Sequence, residues 1–208
     1  DRACYSKVAI YDVYITVPDR YMVAGSGWLV GVTAEAGRKT YHFHGEPIRD
    51  FAFTASSRYK VIEDRSENNV TVKSYYFEGD ERGAKIALHV AKTCIELYSG
   101  LFGEYPYPEF TVAETSFSWV GGMEYPNLIM IDDYLYRTWR SLELVVAHET
   151  AHQWWYGIVG NDQYMEPWLD ESFANYCENL FFEYQYGEEE MRAVMSSTIK
   201  LRYLEYVD

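Results

Sequence analysis

The sequence predicts an α+β protein in which a β-rich, sandwich-like segment, residues 1–78, precedes a segment of helices around a small sheet, residues 79–208. Three observations support this division. Before residue 78, short runs of β-branched and aromatic residues alternate with turn residues. After residue 80, apolar residues recur at the spacing of amphipathic helices. Two short apolar runs among those helices supply the strands of a second sheet.

Six strand candidates fill the first segment. They are residues 8–17, 28–33, 39–44, 51–54, 59–63 and 70–77. Pro18 and Asp19 break the first of them, and the polar residues 66–69 form a turn before the last. Short strands at regular spacing with turns between them are typical of a sheet or a sandwich. His42 and His44 share one face of the third candidate, where solvent-facing strand residues are favoured over a metal-binding pair.

The second segment alternates helices with two strands. Residues 81–102 carry one apolar stripe, and Gly103 with two following prolines ends that helix. Strand candidates follow at residues 109–115 and 128–131. Three more helices are predicted at residues 138–158, 166–186 and 188–207. In the first of these three, Ser141 is the candidate N-cap, and Gly157 and Gly160 are the candidate stops.

The composition excludes some classes of function and leaves the compartment open. The 208 residues carry a net charge of −14, from 32 acidic and 18 basic side chains, so nucleic acid is not an expected partner. No run of 18 apolar residues is present, so we expect no membrane span. Cys4, Cys94 and Cys177 form no C-x-x-C pair, and the last two lie at apolar helical positions that predict small buried residues. Both a cytoplasmic and a membrane-anchored parent protein are compatible with these features.

The pentapeptide from His148 to His152 carries the strongest chemical signal. It reads H-E-x-x-H inside an apolar run, residues 142–155, that predicts a helix. Histidines four positions apart project from one helix face, where two imidazoles can hold one zinc ion. Glu149 follows the first ligand and can reach a water molecule beside that metal, which is the position of a general base. The alternative is a pair of histidines buried in the core.

A third zinc ligand is available on the next predicted helix. Glu171 lies 19 positions after His152, and two antiparallel helices joined by a loop can bring it opposite the histidine pair. The alternative is a carboxylate that merely favours the helix N-terminus. Asn175 and Glu178 lie four and seven positions beyond Glu171, where either can hydrogen-bond a zinc-ligating histidine.

Upstream of these helices lies the tetrapeptide Gly121, Gly122, Met123 and Glu124. Paired glycines beside a strand let the backbone of a ligand approach closely, which makes this loop a candidate substrate-binding segment. On these residues alone, a plain turn and an exposed loop acid are the favoured interpretation. Two observations favour a binding role instead: the predicted zinc helix, whose His148 lies 24 positions after Glu124, and the similarity of this segment to a known family motif.

Together the motifs resemble the gluzincin aminopeptidases of the aminopeptidase N type. The resemblance rests on HETAHQWW followed by WLDESFANYCE, and on GGMEY, which is similar to the exopeptidase motif G-x-M-E-N of that family. It implies one zinc ion on His148, His152 and Glu171, with Glu149 as the general base. It also implies that Glu124 pairs with the free α-amine of a peptide, so that only the first residue is removed. The expected substrates are therefore peptides with a free N-terminus.

The resemblance also implies a domain organisation. Residues 1–78 are expected to be the later part of a β-rich N-terminal domain, and residues 79–208 the first part of a thermolysin-like zinc peptidase domain. Tyr125, Asp170 and Ser172 stand where the family usually has Asn, Asn and Gly, and these departures leave the ligands intact. Family members also use a catalytic Tyr far downstream of the glutamate ligand, so we expect this segment to be weak or inactive by itself.

Two other functions stay open at this point. A zinc endopeptidase of the thermolysin kind shares the three ligands, and Glu124 is the residue that distinguishes an aminopeptidase from it. A non-catalytic binding module that keeps this fold as a scaffold is the other alternative. The presence of all three ligands and of the base favours an enzyme over that scaffold.

Overall fold

The computed structural model describes residues 6–117 and 120–207, and in these ranges the chain is an α+β protein with several sheets. Cys4 lies outside the described residues. The strands are β1 (Ala9–Pro18), β2 (Met22–Gly25), β3 (Trp28–Glu35), β4 (Arg38–Ile48), β5 (Phe53–Ser56), β6 (Tyr59–Arg65), β7 (Thr71–Phe77), β8 (Glu109–Thr115), β9 (Gly122–Met123) and β10 (Leu128–Asp132). The helices are α1 (Glu81–Phe102), α2 (Trp139–Ala151), α3 (Trp168–Tyr186), α4 (Glu188–Met195) and α5 (Leu201–Val207).

The first five strands form two small sheets with a shared core. β4 lies between β1 and β3 in an antiparallel sheet, and β2 pairs with β5. Ile15, Tyr41 and Phe43 of the larger sheet cluster with Val23 of β2, as in a sandwich. β2 is absent from the sequence prediction, which has no strand between residues 17 and 28.

His42 and His44 project from the other face of β4. His42 Nε2 lies 2.9 Å and His44 Nδ1 lies 3.1 Å from the same oxygen, Asp12 Oδ1, on the neighbouring strand. Tyr14 stacks on the His42 ring at 4.2 Å. The two histidines are thus half-buried partners of a carboxylate rather than freely solvated strand residues.

A five-stranded sheet in the order β6-β7-β8-β10-β9 supports the second half of the chain. β7, β8 and β10 run parallel to one another, while β6 and β9 are antiparallel edges. α1 connects β7 to β8, because parallel neighbours require a crossover. Two of the five strands precede residue 78, so the sheet itself extends across the predicted domain boundary. The division at residue 78 stays a prediction.

The helix that carries the H-E-x-x-H residues is shorter than the sequence predicts. It begins at Trp139 and ends at Ala151, so Ser141 is not its N-cap and the predicted extension to residue 158 is wrong. Residues 152–159 form turns instead. The indole N–H groups of Trp154 and Trp155 donate to Gly103 O at 2.9 Å and to Cys177 Sγ at 3.3 Å. These tertiary contacts favour the turns over another helical turn.

The remaining helices agree with the prediction more closely. α1 has the predicted bounds, and α3 begins two residues later than predicted. α4 and α5 are continuous through a π-helical segment, Ser196–Lys200, where one helix is predicted. Cys94 and Cys177 are buried, as the sequence predicts. Among the described helices, none has the length and apolar character needed to cross a bilayer.

Candidate functional site

The two histidines of the motif meet at the C-terminal end of α2. His148 lies in the last turn, and His152 is the first residue after the helix, still with helical backbone angles. Their Nε2 atoms are 3.1 Å apart, and His152 is 1% exposed. The two histidine side chains therefore share one face, even though α2 ends at Ala151, just before His152.

Glu171 completes the cluster from the first turn of α3. Its Oε2 atom lies 3.3 Å from His148 Nε2 and 3.8 Å from His152 Nε2. Three atoms bound to one tetrahedral zinc ion lie about 3.3 Å apart. Among the described residues, His148, His152 and Glu171 are the one group of three potential ligands whose donor atoms all lie within 4.8 Å of one another. The donor set and its spacing fit a zinc ion.

The outer nitrogen of each imidazole has an acceptor. His152 Nδ1 lies 3.0 Å from the main-chain oxygen of Trp155, and His148 Nδ1 lies 2.6 Å from Glu178 Oε1. A carbonyl or carboxylate oxygen only accepts, so each Nδ1 carries a proton and donates it outward. Each Nε2 atom, the remaining ring nitrogen, then faces the shared centre, as metal binding requires.

The sequence makes Asn175 a second candidate for a hydrogen bond to a zinc-ligating histidine. In the structure its side chain bonds elsewhere. Its side-chain amide donates to the main-chain oxygen of Glu171 at 2.7 Å. The side chain lies one helical turn after that oxygen and supports the turn that carries Glu171. Glu178 alone of the two approaches a histidine, because seven positions bring it to the face of α3 that meets α2.

Charges in the cluster shift the pKa of each member. Burial opposes the charged form of His148, but the hydrogen bonds that its ring donates to the carboxylates of Glu171 and Glu178 outweigh it and raise the pKa of His148. Burial and the neighbouring His148 lower the pKa of His152. The hydrogen bond to His148 lowers the pKa of Glu171. His148, which lies between the two carboxylates, therefore takes up a proton far more readily than His152.

Glu149 lies beside this cluster with little access to solvent. Its side chain is 7% exposed and contributes to the walls of two cavities that adjoin the cluster. Burial raises the pKa of Glu149 to about 8, against the opposing effect of His148 and with a further contribution from Glu124. A carboxyl group with such a pKa exchanges protons near neutrality, which suits a general base.

Gly122 leaves the space that Glu149 occupies. A Cβ atom on Gly122 would lie 2.4 Å from Glu149 Oε1, closer than real contacts allow. A Cβ on Gly121 would meet Leu135 and Val145 at 3.6 and 3.7 Å, which is ordinary contact. Gly122 therefore leaves room for the protein's own glutamate, and the approach of a ligand to the two glycines stays a prediction.

Glu124 and Met123 line the smaller of the two cavities, of about 300 Å³, together with both histidines. Gln163 also lines it and donates from Nε2 to Glu124 Oε1 at 3.0 Å. This bond leaves the other carboxylate oxygen of Glu124 available to a ligand. Sequence reasoning misses Gln163, because a single amide in a loop has no periodic or motif signal.

Two residues directly after β4, Arg49 and Asp50, hold the loop before Gln163. Arg49 donates from Nε to Tyr156 O at 2.7 Å, and the Tyr156 hydroxyl donates to Asp50 Oδ2 at 2.7 Å. A side chain at Gly160 would overlap the Arg49 guanidinium. Tyr156 has a φ of 132°, a conformation that costs free energy unless its surroundings fix it. Arg49 and Asp50 provide that fixation from a distant part of the sequence.

This chain is similar to several known proteins. The family described as "Peptidase family M1 domain" matches residues 86–206. Aminopeptidase M1 of Arabidopsis thaliana is 29% identical over 184 residues, which are 83% of this chain and 21% of that protein. Puromycin-sensitive aminopeptidase of Caenorhabditis elegans is 28% identical over 162 residues, 72% of this chain and 17% of that protein. Leucine aminopeptidase 2 of Lodderomyces elongisporus is 38% identical over 91 residues, 43% of this chain and 14% of that protein. The chain thus spans about a fifth of the first two relatives.

Proposed function

Because this chain belongs to the peptidase M1 family, we propose that it forms the metal-binding and cleavage centre of a zinc aminopeptidase. Residues 79–208 would be the first part of a thermolysin-like catalytic domain, and residues 1–78 the end of a β-rich domain before it. The single observation that carries the proposal is the convergence of three donor atoms, from His148, His152 and Glu171, within 4.8 Å.

One zinc ion held by these three side chains is the proposed cofactor. Two neutral imidazoles and one carboxylate form a typical catalytic zinc set, which leaves a fourth position for water or substrate. Such an ion acts as a Lewis acid toward the scissile carbonyl and lowers the pKa of water to about 7. Glu178 and the Trp155 carbonyl hold the imidazoles in the required tautomer.

Glu149 is the proposed general base. It takes a proton from the attacking water and returns it to the departing amine. Its burial and the space provided by Gly122 restrict the carboxyl group to a narrow set of positions beside the ligands. The same burial keeps its pKa near 8 in the metal-free protein, and a nearby divalent cation would lower that pKa.

Glu124 is the proposed anchor for the free α-amine of the substrate. Its carboxylate lines the same cavity as the cluster, so an ammonium group bound there sets which carbonyl reaches the ligands. β9 is an edge strand, and an extended peptide can pair along its open side. Gly121, Gly122 and Met123 would then contact the peptide backbone near the scissile bond.

Cleavage of paired substrates tests this function. Alanyl anilide and N-acetyl-alanyl anilide would be incubated with the longest natural chain that contains these residues, with and without a chelator. We expect release of aniline from the free amine alone, loss of activity with the chelator, and recovery on addition of zinc. Cleavage of both substrates at similar rates would favour an endopeptidase. Zinc binding below one ion per chain, measured with the purified protein, would favour the scaffold alternative.

A further inference from the structure

Two cavities adjoin the histidine cluster and share Glu149 in their walls. Both are lined by Val120, Gly122, His148, Glu149 and Glu171. The smaller cavity also has Met123, Glu124 and Gln163 in its wall. The larger, of about 420 Å³, has neither Glu124 nor Gln163 and is lined instead by Gly121, Leu144, Val145, Asn175, Glu178 and Arg202. The cleft therefore includes a region that adjoins His148 and Glu171 but not Glu124.

The order of residues along the edge strand gives the two cavities a direction, provided that the proposed function holds. An N-terminal amine at Glu124 occupies the smaller cavity with the first residue of the substrate. A peptide that pairs antiparallel to β9 then passes Met123, Gly122 and Gly121 in that order. The residue after the scissile bond therefore enters the larger cavity.

Arg202 gives the larger cavity a positive charge that takes no part in the proposed metal site. Among the described residues that line it, Arg202 is the only lysine or arginine, whereas Glu149, Glu171 and Glu178 are carboxyl groups. Other arginines of the helical region, such as Arg140 and Arg192, form ion pairs with glutamates, but no ion pair is formed by Arg202 in the described part of the chain. An unpaired guanidinium at the cleft is available to a ligand.

We propose that Arg202 binds a carboxylate carried by the residue after the scissile bond. A guanidinium presents a planar set of N–H donors that matches a carboxylate in two parallel hydrogen bonds. Two kinds of substrate offer that group: a dipeptide through its C-terminal carboxylate, and a longer peptide through an Asp or Glu in second position. Without Arg202, the glutamates around the cleft would repel either of them.

Two substrate pairs distinguish these sources. Ala-Ala and Ala-Ala-amide differ only in the terminal carboxylate, and Ala-Asp-amide and Ala-Asn-amide differ only in the side-chain carboxylate. In Arg202→Gln, we expect KM for the carboxylate member of one or both pairs to rise about fivefold. KM for the neutral members and kcat for all four should stay within about twofold of wild type. Lys200→Gln removes one positive charge two residues away, from a side chain that does not line the cavity, and should leave all values unchanged.

Equal changes for charged and neutral substrates, or equal effects of the two variants, would overturn the assignment of Arg202. Its failure is distinguishable from failure of the proposed function. If wild type cleaves no peptide, binding of the same four peptides to zinc-loaded protein, measured by calorimetry, still reports on Arg202. Weaker binding of the carboxylate members alone in Arg202→Gln, with the difference abolished by 0.5 M salt (where the screening length is about 4 Å), would support the contact. Identical affinities in both proteins would refute it.

Discussion

Two buried glutamates in this chain have the same pKa shift and different surroundings. Burial raises the pKa of Glu149 to about 8, and burial also raises the pKa of Glu114 to about 8. Glu149 is 7% exposed and adjoins two cavities, whereas Glu114 is 0% exposed and lines neither of them. The neighbours of Glu149 include His148 and Glu124, which project from the end of α2 and from the residue after β9.

Glu114 lies instead among structural groups at the end of β8. Its Oε2 atom accepts the main-chain N–H of Phe77 at 2.6 Å, and the carboxyl group of Asp80 beside it favours the protonated form. The Tyr59 hydroxyl donates to the main-chain oxygen of Glu114 at 2.7 Å. These contacts join β6, β7 and β8 to the start of α1. A raised carboxyl pKa therefore marks burial, and only the imidazoles and the open cleft make Glu149 a candidate catalyst.

The largest expected effect comes from a substitution that removes the base. The same substitution at the other glutamate gives a direct comparison of the two. Glu149→Gln should lower kcat by about a thousandfold or more, because the amide accepts no proton from water. Zinc stoichiometry, measured by atomic absorption, should stay at one ion per chain. Glu114→Gln has the same chemical change in the structural region and should keep kcat within about threefold. Comparable losses of kcat in both variants would mean that burial, and not position beside the ligands, explains the effect.

The paired glycines test the space around Glu149. Gly122→Ala places a methyl group against the Glu149 carboxyl and should lower kcat by about a hundredfold through its displacement. Gly121→Ala meets only ordinary contacts and should lower kcat by less than about threefold. Steady-state kinetics with one anilide substrate, together with circular dichroism of both variants, measures this difference. A larger loss for Gly121→Ala would contradict the steric argument.

Substitution of Glu178, which accepts the proton of His148 Nδ1, has a smaller expected effect, and this effect is on metal affinity. Glu178→Ala removes the acceptor of the His148 Nδ1 proton and should weaken zinc binding about 10- to 100-fold. Asn175→Ala removes only a bond to the Glu171 main chain and should change zinc affinity by less than about threefold. Competition with a chromophoric chelator gives both dissociation constants. Equal weakening in the two variants would show that helix stability, rather than the histidine contact, controls affinity.

Substitution of Gln163, which hydrogen-bonds Glu124, has a still smaller expected effect. Gln163→Ala frees the Glu124 carboxylate from its hydrogen bond and should raise KM for free-amine substrates about fivefold, with little change in kcat. The reason is that the amine must then order a mobile carboxylate on binding. A fall in kcat with unchanged KM would show instead that Gln163 acts on the chemical step.

Glu114 has an expected effect on stability and none on turnover. A folded-state pKa of about 8, above the usual value of 4.5, means that the native state holds a proton that the unfolded state has released. This group's contribution to stability is complete below about pH 4.5 and falls as the pH rises toward 8, by at most about 1.4 kcal/mol per pH unit. The side chain introduced in Glu114→Gln stays neutral. Urea unfolding from pH 5 to 8 should therefore show a smaller loss of stability in this variant than in wild type. Parallel curves for both proteins would refute the shift.

Local patterns in the sequence predict the elements and the ligand set. The four-residue spacing of His148 and His152 predicts one shared face, because helix geometry alone fixes it. The apolar stripe of α1 and the alternation in β1 and β7 likewise depend on neighbours a few positions away. The family membership is predictable for the same reason, since H-E-x-x-H and the later glutamate are compact motifs.

The tertiary structure decides the features that depend on contacts between distant residues. Trp154 and Trp155, just after α2, bond to Gly103, which follows α1, and to Cys177 of α3, and no local pattern identifies these partners. The choice of Glu178 over Asn175 depends on which face of α3 meets α2, and Arg49 reaches Tyr156 across 107 positions of sequence. Propensity and spacing act within an element, whereas these contacts depend on how separate elements pack together. The sequence therefore determines which groups are present at the cleft, and packing determines what each of them contacts.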